Sequence, residues 1–265
     1  MSVWLGAVRA LRRVTPAPIR ARLREFQFTW LRLEWTFPTG VEIRIADYGD
    51  WVIYSEIFAS GDYDLALARA CDRAAASGRS MHVVDLGANS GLFTLRVLHE
   101  ARRRTLGVAI TAVEAHPRMA ERFLARVLPQ RRAGEAVRLA QGVAGERGGA
   151  VDFYENPAHP ASSTRFASRN AADRSRTPFR LSYVDLSAIL SDAPRIDLLK
   201  CDIEGSEERV IANYADVFAR TDVAVFEFHR DLCDVARCQA LLRSYGFGHA
   251  ATCRDGLNFI YAVWR

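Results

Sequence analysis

The chain has 265 residues, of which 49% are hydrophobic and 25% are charged. This composition excludes an intrinsically disordered chain and supplies enough apolar side chains for one large core. The formal net charge of +5 is spread along the chain without an aromatic-studded basic patch, so it does not indicate a nucleic-acid partner.

Residues 1–78 form a predicted N-terminal extension of helices and one strand. Its first helix is amphipathic and basic, with arginines between apolar residues at helical spacing, namely Trp4, Leu5, Val8 and Leu11. Such a stripe usually packs on its own domain or on a second subunit in a homodimer, although a peripheral contact with an anionic membrane is also open. A strand at 41–45 and helices at 50–58 and 62–77 follow.

From residue 79 onward, short apolar strands alternate with helical segments, which is typical of a parallel sheet covered by helices. The strands are predicted at 82–86, 110–115, 137–143, 196–203 and 223–228. The helices between them are predicted near 90–104, 117–128, 182–191 and 205–220.

The C-terminal part adds a helix at 234–245 and a hairpin of strands at 249–253 and 258–264, joined through Asp255-Gly256. We therefore predict an α/β, Rossmann-like domain over 79–265, with a mostly parallel seven-stranded sheet, an antiparallel C-terminal hairpin strand and helices on both faces. A polar insertion at about 144–181 interrupts it, and its segment 156–180 fits a mobile lid and a plain loop equally well.

A glycine loop follows the first strand of this domain, Asp85-Leu86-Gly87-Ala88-Asn89-Ser90-Gly91. Glycine lets a ligand approach the main chain, and the helix that follows points free N–H groups at the same place. A dinucleotide-binding loop reads Gly-x-Gly-x-x-Gly instead. Here an acid precedes the first glycine, which suits a cationic ligand such as S-adenosylmethionine better than a phosphate. The structural alternative is a tight strand–helix turn without a ligand.

The second strand ends in Glu114-Ala115-His116-Pro117. A carboxylate at this place can accept both hydrogen bonds of a ribose diol, as in dinucleotide-binding folds. Alternatively, Glu114 caps a helix that starts at Pro117. His116 is a candidate neighbour of an adenine ring, but we expect it to be exposed to solvent.

The fourth strand carries Lys200-Cys201-Asp202-Ile203-Glu204-Gly205-Ser206-Glu207. With the glycine loop and the Glu114–Pro117 segment, this run resembles the FkbM-type methyltransferase family over about residues 80–265. The resemblance implies a class I methyltransferase fold, S-adenosylmethionine as methyl donor and a hydroxyl acceptor on a sugar, glycan or other natural product. The residues expected to bind the donor are Asp85, Gly87, Ala88, Asn89, Gly91, Glu114, Ala115 and Val143.

Three residues are candidates for catalysis. Lys200 and Asp202 share a strand face, so a buried ion pair can fix the carboxylate of Asp202. His229 ends the neighbouring strand and titrates near neutral pH. A hydroxyl needs a base as the new bond forms, and we expect Asp202 or His229 to be that base. Structural roles for the ion pair and for the histidine remain open, and Glu207 and Glu208 are expected to be structural.

A divalent cation is an alternative means of activating the acceptor hydroxyl. Its oxygen-rich ligands would be Asp202, Glu204, Glu227 and His229. Such a set favours Mg²⁺ or Ca²⁺, but we do not favour a metal, because no dedicated ligand spacing is present.

Two other functions fit the same fold. An NAD-dependent oxidoreductase also needs a glycine loop and an acid after the second strand, and a non-catalytic nucleotide-binding protein could keep both. The five cysteines are an odd number without a Cys-x-x-Cys pair, so neither a disulfide framework nor a zinc site is expected. With neither a membrane span nor a signal peptide recognisable, we expect a cytoplasmic protein that acts on a small-molecule or carbohydrate acceptor.

Overall fold

The structure is a computed structural model that describes Phe28, Trp30 and residues 33–153, 179–256 and 258–265. The basic amphipathic helix predicted around Trp4 lies outside these residues. The segment predicted at 156–180 also lies outside them, apart from its last two residues, which begin a strand.

A seven-stranded sheet forms the centre of the molecule, with the strand order β10-β11-β9-β8-β3-β4-β5. Its strands are β3 (Met81–Leu86), β4 (Val108–Glu114), β5 (Glu135–Gln141), β8 (Ile196–Cys201), β9 (Thr221–His229), β10 (His249–Arg254) and β11 (Asn258–Trp264). The five adjacent strands β9, β8, β3, β4 and β5 run parallel, whereas β11 is antiparallel to both β9 and β10. The predicted Rossmann-like sheet with an antiparallel hairpin strand is confirmed.

Helices cover both faces of this sheet. They are α1 (Tyr48–Tyr54), α2 (Asp64–Ala76), α3 (Leu92–Arg103), α4 (Pro117–Val127), α5 (Leu186–Ile189), α6 (Glu207–Asn213), α7 (Ala215–Ala219) and α8 (Val235–Ser244). Val83 packs with α2 and α3, whereas its neighbour Val84 packs with α5 to α8. Because successive strand residues point to opposite faces, the sheet separates two apolar cores.

The described N-terminal elements join the first of these cores. An antiparallel hairpin of β1 (Leu33–Thr36) and β2 (Glu42–Ile45) precedes α1, and a π-helical segment (Ser55–Ser60) links α1 to α2. Ile43, Ile45 and Ile57 are buried with the side chains of β3 and α3. The hairpin and the π-helical segment therefore pack against the sheet.

The structure shortens several predicted elements. The fourth sheet strand ends at Cys201 rather than at residue 203, because Glu204 and Gly205 have φ values of 53° and 97°, outside the extended region. Lys200, Asp202 and Glu204 thus do not continue along one strand face. The helix predicted at 205–220 is divided at the buried Tyr214.

The predicted helix at 182–191 is only four residues long, since Phe179–Ser182 instead forms β7, which pairs with β6 (Ala150–Phe153). Asp185 caps this short helix through the backbone N–H groups of Ser187 and Ala188. Within the described ranges, no helix is both long and apolar enough to cross a bilayer.

Candidate functional site

A cavity of about 340 Å³ opens at the carboxyl ends of β3, β4, β8 and β9. Small-molecule sites span roughly 300 to 1,000 Å³, and the carboxyl edge of a parallel sheet is their usual place. We distinguish two parts of its wall. The loop end comprises Gly87, Ala88, Asn89, Glu114, Ala115 and Val143, and the acidic end comprises Glu56, Tyr63, Asp202, Glu204, Glu227 and Asn258.

The glycine loop presents its main chain to the cavity. Gly87 has φ 75°, and a β-carbon there would collide with the carbonyl group of Asp202. The N–H groups of Gly87 and Ala88 both donate to the carbonyl oxygen of Val113 at 3.0 Å, which ties the loop to β4. Only glycine allows the loop to lie so close to the end of β8.

Glu114 lines the loop end and is 8% exposed. Its two carboxylate oxygens accept the N–H groups of Asn89 and His116, each at 2.7 Å. Burial raises the pKa of Glu114 to about 7 despite these two hydrogen bonds. The carboxylate is thus held in place, and each oxygen retains a lone pair for a ligand.

Ala115, Val143 and Phe153 add apolar side chains to the cavity wall. His116 does not have the solvent exposure that we expected. Its side chain is 3% exposed and accepts the N–H of Arg118, so it caps α4. A polar loop, a carboxylate and an apolar wall together fit the amino-acid, ribose and purine parts of an adenosyl ligand.

Two residues predicted to bind the donor lie behind the loop instead. Asp85 is fully buried, and its carboxylate accepts the hydroxyl of Thr94 at 2.9 Å. Gly91 begins α3, where a β-carbon would press on the side chains of Phe123 and Val127. Both residues shape the loop from within the core, and neither lines the cavity.

Lys200 links β8 to the glycine loop. Its Nζ donates to the carbonyl oxygen of Gly87 at 2.8 Å and lies 3.5 Å from carboxylate oxygens of both Asp85 and Asp202. Burial alone would lower the pKa of Lys200, but the charges of Asp202 and Asp85 outweigh burial and raise it. The ion pair with Asp202 that the sequence indicates is present, and the cation is shared with Asp85.

Helix α1 closes one side of the cavity through Tyr48, Val52 and Ile53. The buried carboxylate of Asp50 fixes this helix, because it lies 2.6 Å from Arg126 Nη2 on α4. It also accepts the hydroxyl of Ser90 in the glycine loop at 2.9 Å. Helix α1 is therefore held against the glycine loop.

Glu227 is the most enclosed carboxylate of the acidic end, at 4% exposure. Tyr63 donates its hydroxyl to one oxygen at 2.9 Å, while Arg254 and Asn258 donate to the other at 3.0 and 2.7 Å. Burial, and then the charge of Asp202, raise the pKa of Glu227 to about 7.

The sequence did not identify Glu56, Tyr63, Arg254 or Asn258 as site residues. Tyr63 is 164 residues away from Glu227 along the chain, and no motif connects the two. The π-helical turn that carries Glu56 is a feature that often marks functional sites, but its i to i+5 bonding has no sequence signature here.

His229 is held between two carboxylates and does not face the cavity. Its Nδ1 lies 2.8 Å from Glu207 and its Nε2 lies 3.4 Å from Glu204, and the ring is 1% exposed. Burial lowers the pKa of His229, but the hydrogen bond and charge of Glu207 outweigh burial and raise it to about 10. The imidazole thus already carries both protons near neutral pH, which argues against the predicted role of His229 as base.

Asp202, Glu227 and His229 place potential metal-ligand atoms within 4.8 Å of one another. Each of these groups already has a charged partner. Lys200 lies 3.5 Å from Asp202, Arg254 lies 3.0 Å from Glu227, and carboxylates flank His229. His229 would have to lose a proton before it could coordinate a metal, because its pKa is raised to about 10, so the arrangement does not favour a metal centre.

Comparison with known proteins identifies one family model, described as the methyltransferase FkbM domain, which matches residues 85–247. The match favours a methyltransferase over the NAD-dependent oxidoreductase. No curated protein matches the chain.

Several solved structures have a distant likeness to this chain. Methyltransferase FkbM from Methylobacillus flagellatus KT is 16% identical with a TM-score of 0.49, and the alignment covers 70% of this chain but only 44% of that one. Magnesium protoporphyrin IX methyltransferase from Synechocystis PCC 6803, solved with bound SAM, is 9% identical with a TM-score of 0.45, and 92% and 94% of the two chains are covered. These likenesses are too distant to indicate an acceptor.

Proposed function

Because this chain belongs to the FkbM methyltransferase family, we propose that it transfers a methyl group from S-adenosylmethionine to a hydroxyl oxygen of a sugar, glycan or natural-product small molecule. The observation that carries this proposal is the union of the loop end and the acidic end in one cavity. A donor held at the first end and an acceptor held at the second would meet inside it.

The loop end fits the donor by the chemistry of its groups. Glu114 offers a fixed carboxylate to the ribose hydroxyls, and Val143 offers an apolar surface to the purine. The main-chain carbonyl groups of the glycine loop offer acceptors to the ammonium group of the amino-acid part. S-adenosylmethionine supplies an activated methyl group when it is bound. The protein supplies alignment and a proton acceptor.

We assign the role of proton acceptor to Asp202. Its carboxylate lines the cavity with 28% of the side chain exposed, whereas Asp85, the other carboxylate beside Lys200, is fully buried. Lys200 fixes the carboxylate from behind, so Asp202 can accept a proton from an acceptor hydroxyl without first rearranging.

Glu114→Ala should weaken the binding of S-adenosylhomocysteine by about 100-fold, which corresponds to about 2.7 kcal/mol. The substitution removes a charged acceptor of two ribose hydrogen bonds. In the wild type the affinity should also fall as the pH drops below 7, since the pKa of Glu114 is about 7 and hydroxyl donors bind the ionised form. Isothermal titration calorimetry at several pH values measures both effects.

Glu121→Ala is the matched control, because Glu121 is an exposed carboxylate on α4 outside the cavity. It should bind the ligand as the wild type does. Thermal unfolding of both variants separates lost binding from lost folding. Equal affinity of the wild type and Glu114→Ala would remove Glu114 from the donor site and with it the main support for the proposal.

Chelation of divalent cations should leave methyl transfer unchanged. In the proposed reaction Asp202 accepts the proton of the acceptor hydroxyl, so no metal is needed to activate that hydroxyl. The measurement is the transfer of radiolabel from S-adenosylmethionine before and after dialysis against EDTA. Loss of activity that Mg²⁺ or Ca²⁺ restores would establish the cation-assisted alternative.

The N-terminal segment adds a second proposal about partners. An amphipathic helix around Trp4 would contact a second subunit or a membrane surface, as the apolar stripe with its arginines suggests. Sedimentation of the full chain, alone and with anionic vesicles, distinguishes these two contacts.

A further inference from the structure

We infer that the acidic end selects an acceptor that carries a positively charged amine near its hydroxyl groups, and that it disfavours phosphorylated or carboxylated acceptors. This inference rests on the proposed methyl transfer and narrows its substrate class. The inference follows from two observations. The first is the balance of charges around Lys200 and Arg254, and the second is the set of charged side chains that line the cavity.

The carboxylates around these two cations outnumber them. Lys200 and Arg254 together contact five carboxylates, which leaves an excess of three negative charges when all are ionised: Asp85, Asp202, Glu56, Asp62 and Glu227. His229 does not reduce this excess, because Glu204 and Glu207 flank it. Among the described residues, the acidic end therefore has a net negative charge when these carboxylates are ionised, although the overall charge of the chain is +5.

The charged side chains that are exposed in the cavity are mainly carboxylates. The side chains of Glu56, Asp202 and Glu204 are 34%, 28% and 21% exposed, whereas that of Lys200 is 4% exposed. Within the described ranges, Lys200 is the sole basic side chain along the cavity wall. A phosphate placed here would face several carboxylates at short range, and like charges at such distances repel strongly in a partly enclosed site.

The two cations are also already engaged. Arg254 lies 2.6 Å from Asp62, 3.1 Å from Glu56 and 3.0 Å from Glu227, so its guanidinium bridges three acids. Lys200 donates to the main chain of Gly87 at 2.8 Å. An anionic ligand would have to break these contacts, whereas an ammonium group would add a missing positive charge without displacing them.

The raised pKa values of two carboxyl groups in the acidic end agree with a shortage of positive charge there. Burial, followed by the charges of Asp202 and Glu56, raises the pKa of Glu227 to about 7. Burial likewise raises the pKa of Glu56, with Asp202 and Asp62 adding to the rise. A bound ammonium group would take over the role that a proton plays on these carboxylates in the free protein.

Three polyols of one carbon skeleton test the inference: glucamine carries an amine, sorbitol is neutral and sorbitol 6-phosphate is anionic. Their binding to the wild type saturated with S-adenosylhomocysteine is measured by ligand-observed NMR titration. We expect glucamine to bind about tenfold more tightly than either of the others, and we expect this preference to shrink at about 1 M salt, where charges are screened.

Glu56→Gln removes one exposed charge of the acidic end and leaves the loop end untouched. It should weaken glucamine binding about threefold to tenfold and change sorbitol binding little. Glu121→Gln removes one charge from the exposed surface of α4 and is the matched control, with unchanged affinities for all three polyols.

The outcomes separate the inference from the proposed function. If the wild type fails to bind S-adenosylhomocysteine, the proposed function fails. If it binds S-adenosylhomocysteine but does not prefer glucamine over sorbitol and sorbitol 6-phosphate, including the case in which none of the three binds, the inference alone is overturned. Equal glucamine binding by the wild type and Glu56→Gln overturns it as well.

Discussion

Asp202→Asn should lower the rate of methyl transfer by about 100-fold to 10,000-fold, the usual contribution of a positioned general base. The amide keeps the shape of the carboxylate but cannot take up the proton that the acceptor hydroxyl loses. The affinity for S-adenosylmethionine should stay within about threefold of the wild type, because the loop end is unchanged.

The experiment compares single-turnover rates, with radiolabelled S-adenosylmethionine and a hydroxyl acceptor that the wild type methylates. Donor affinity is measured separately by calorimetry. Asp72→Asn serves as the control, since Asp72 is an exposed acid on α2 that pairs with Arg104 away from the cavity. A rate near that of the wild type for Asp202→Asn would dismiss Asp202 as the base and would leave Glu227 as the nearest enclosed carboxylate to test.

Lys200→Met should cost about 3 to 5 kcal/mol of the free energy of unfolding, the range found when one partner of a buried ion pair is removed. Methionine fills a similar volume, but Asp85 keeps a buried carboxylate without its cation. The tie between Nζ and the carbonyl oxygen of Gly87 is lost as well. Urea unfolding of the wild type and the variant measures the difference.

The pH dependence of this loss identifies its cause. Burial already raises the pKa of Asp85, and Lys200 partly opposes the rise. Without the cation the pKa of Asp85 should rise further, so the folded variant binds a proton more readily than the unfolded chain. Its stability should therefore increase as the pH falls toward 4, and the gap from the wild type should narrow.

The double variant Lys200→Met with Asp85→Asn tests the same point by a different route. Removal of the orphaned charge should recover part of the lost stability at neutral pH, although Asp85→Asn alone destabilises the protein. If the two losses simply add, the damage comes from packing around methionine, and the charge pairing assigned to Lys200 is wrong.

The residues of the loop end could be predicted from local sequence. Gly87, Asn89 and Glu114 were predicted from their place directly after two strands, and the structure places them together on the cavity wall. The carboxyl ends of neighbouring parallel strands meet at one edge, so position along the chain determines this proximity once the strands are recognised. The helices on both faces followed from the same alternation.

For Asp85, position along the chain was not sufficient to predict the role of the side chain. Its place before the first glycine led to the prediction that it binds the donor, but the direction of its side chain depends on the pleat of β3. There it points at Thr94 and Lys200 rather than into the cavity. Likewise, His229 titrates near neutral pH in isolation, and only the packing of Glu207 against it shows that it keeps its proton.

Residue periodicity and short motifs were enough to predict the order of the strands in the central sheet, the glycine loop and the family, because these depend on local sequence. The surroundings of Glu227 depend instead on how the chain folds, since Tyr63, Glu56 and Arg254 come from three separate parts of the sequence. Side-chain direction, burial and charge pairing are set by such distant neighbours, and they determine which carboxylate can act and what kind of acceptor it can face.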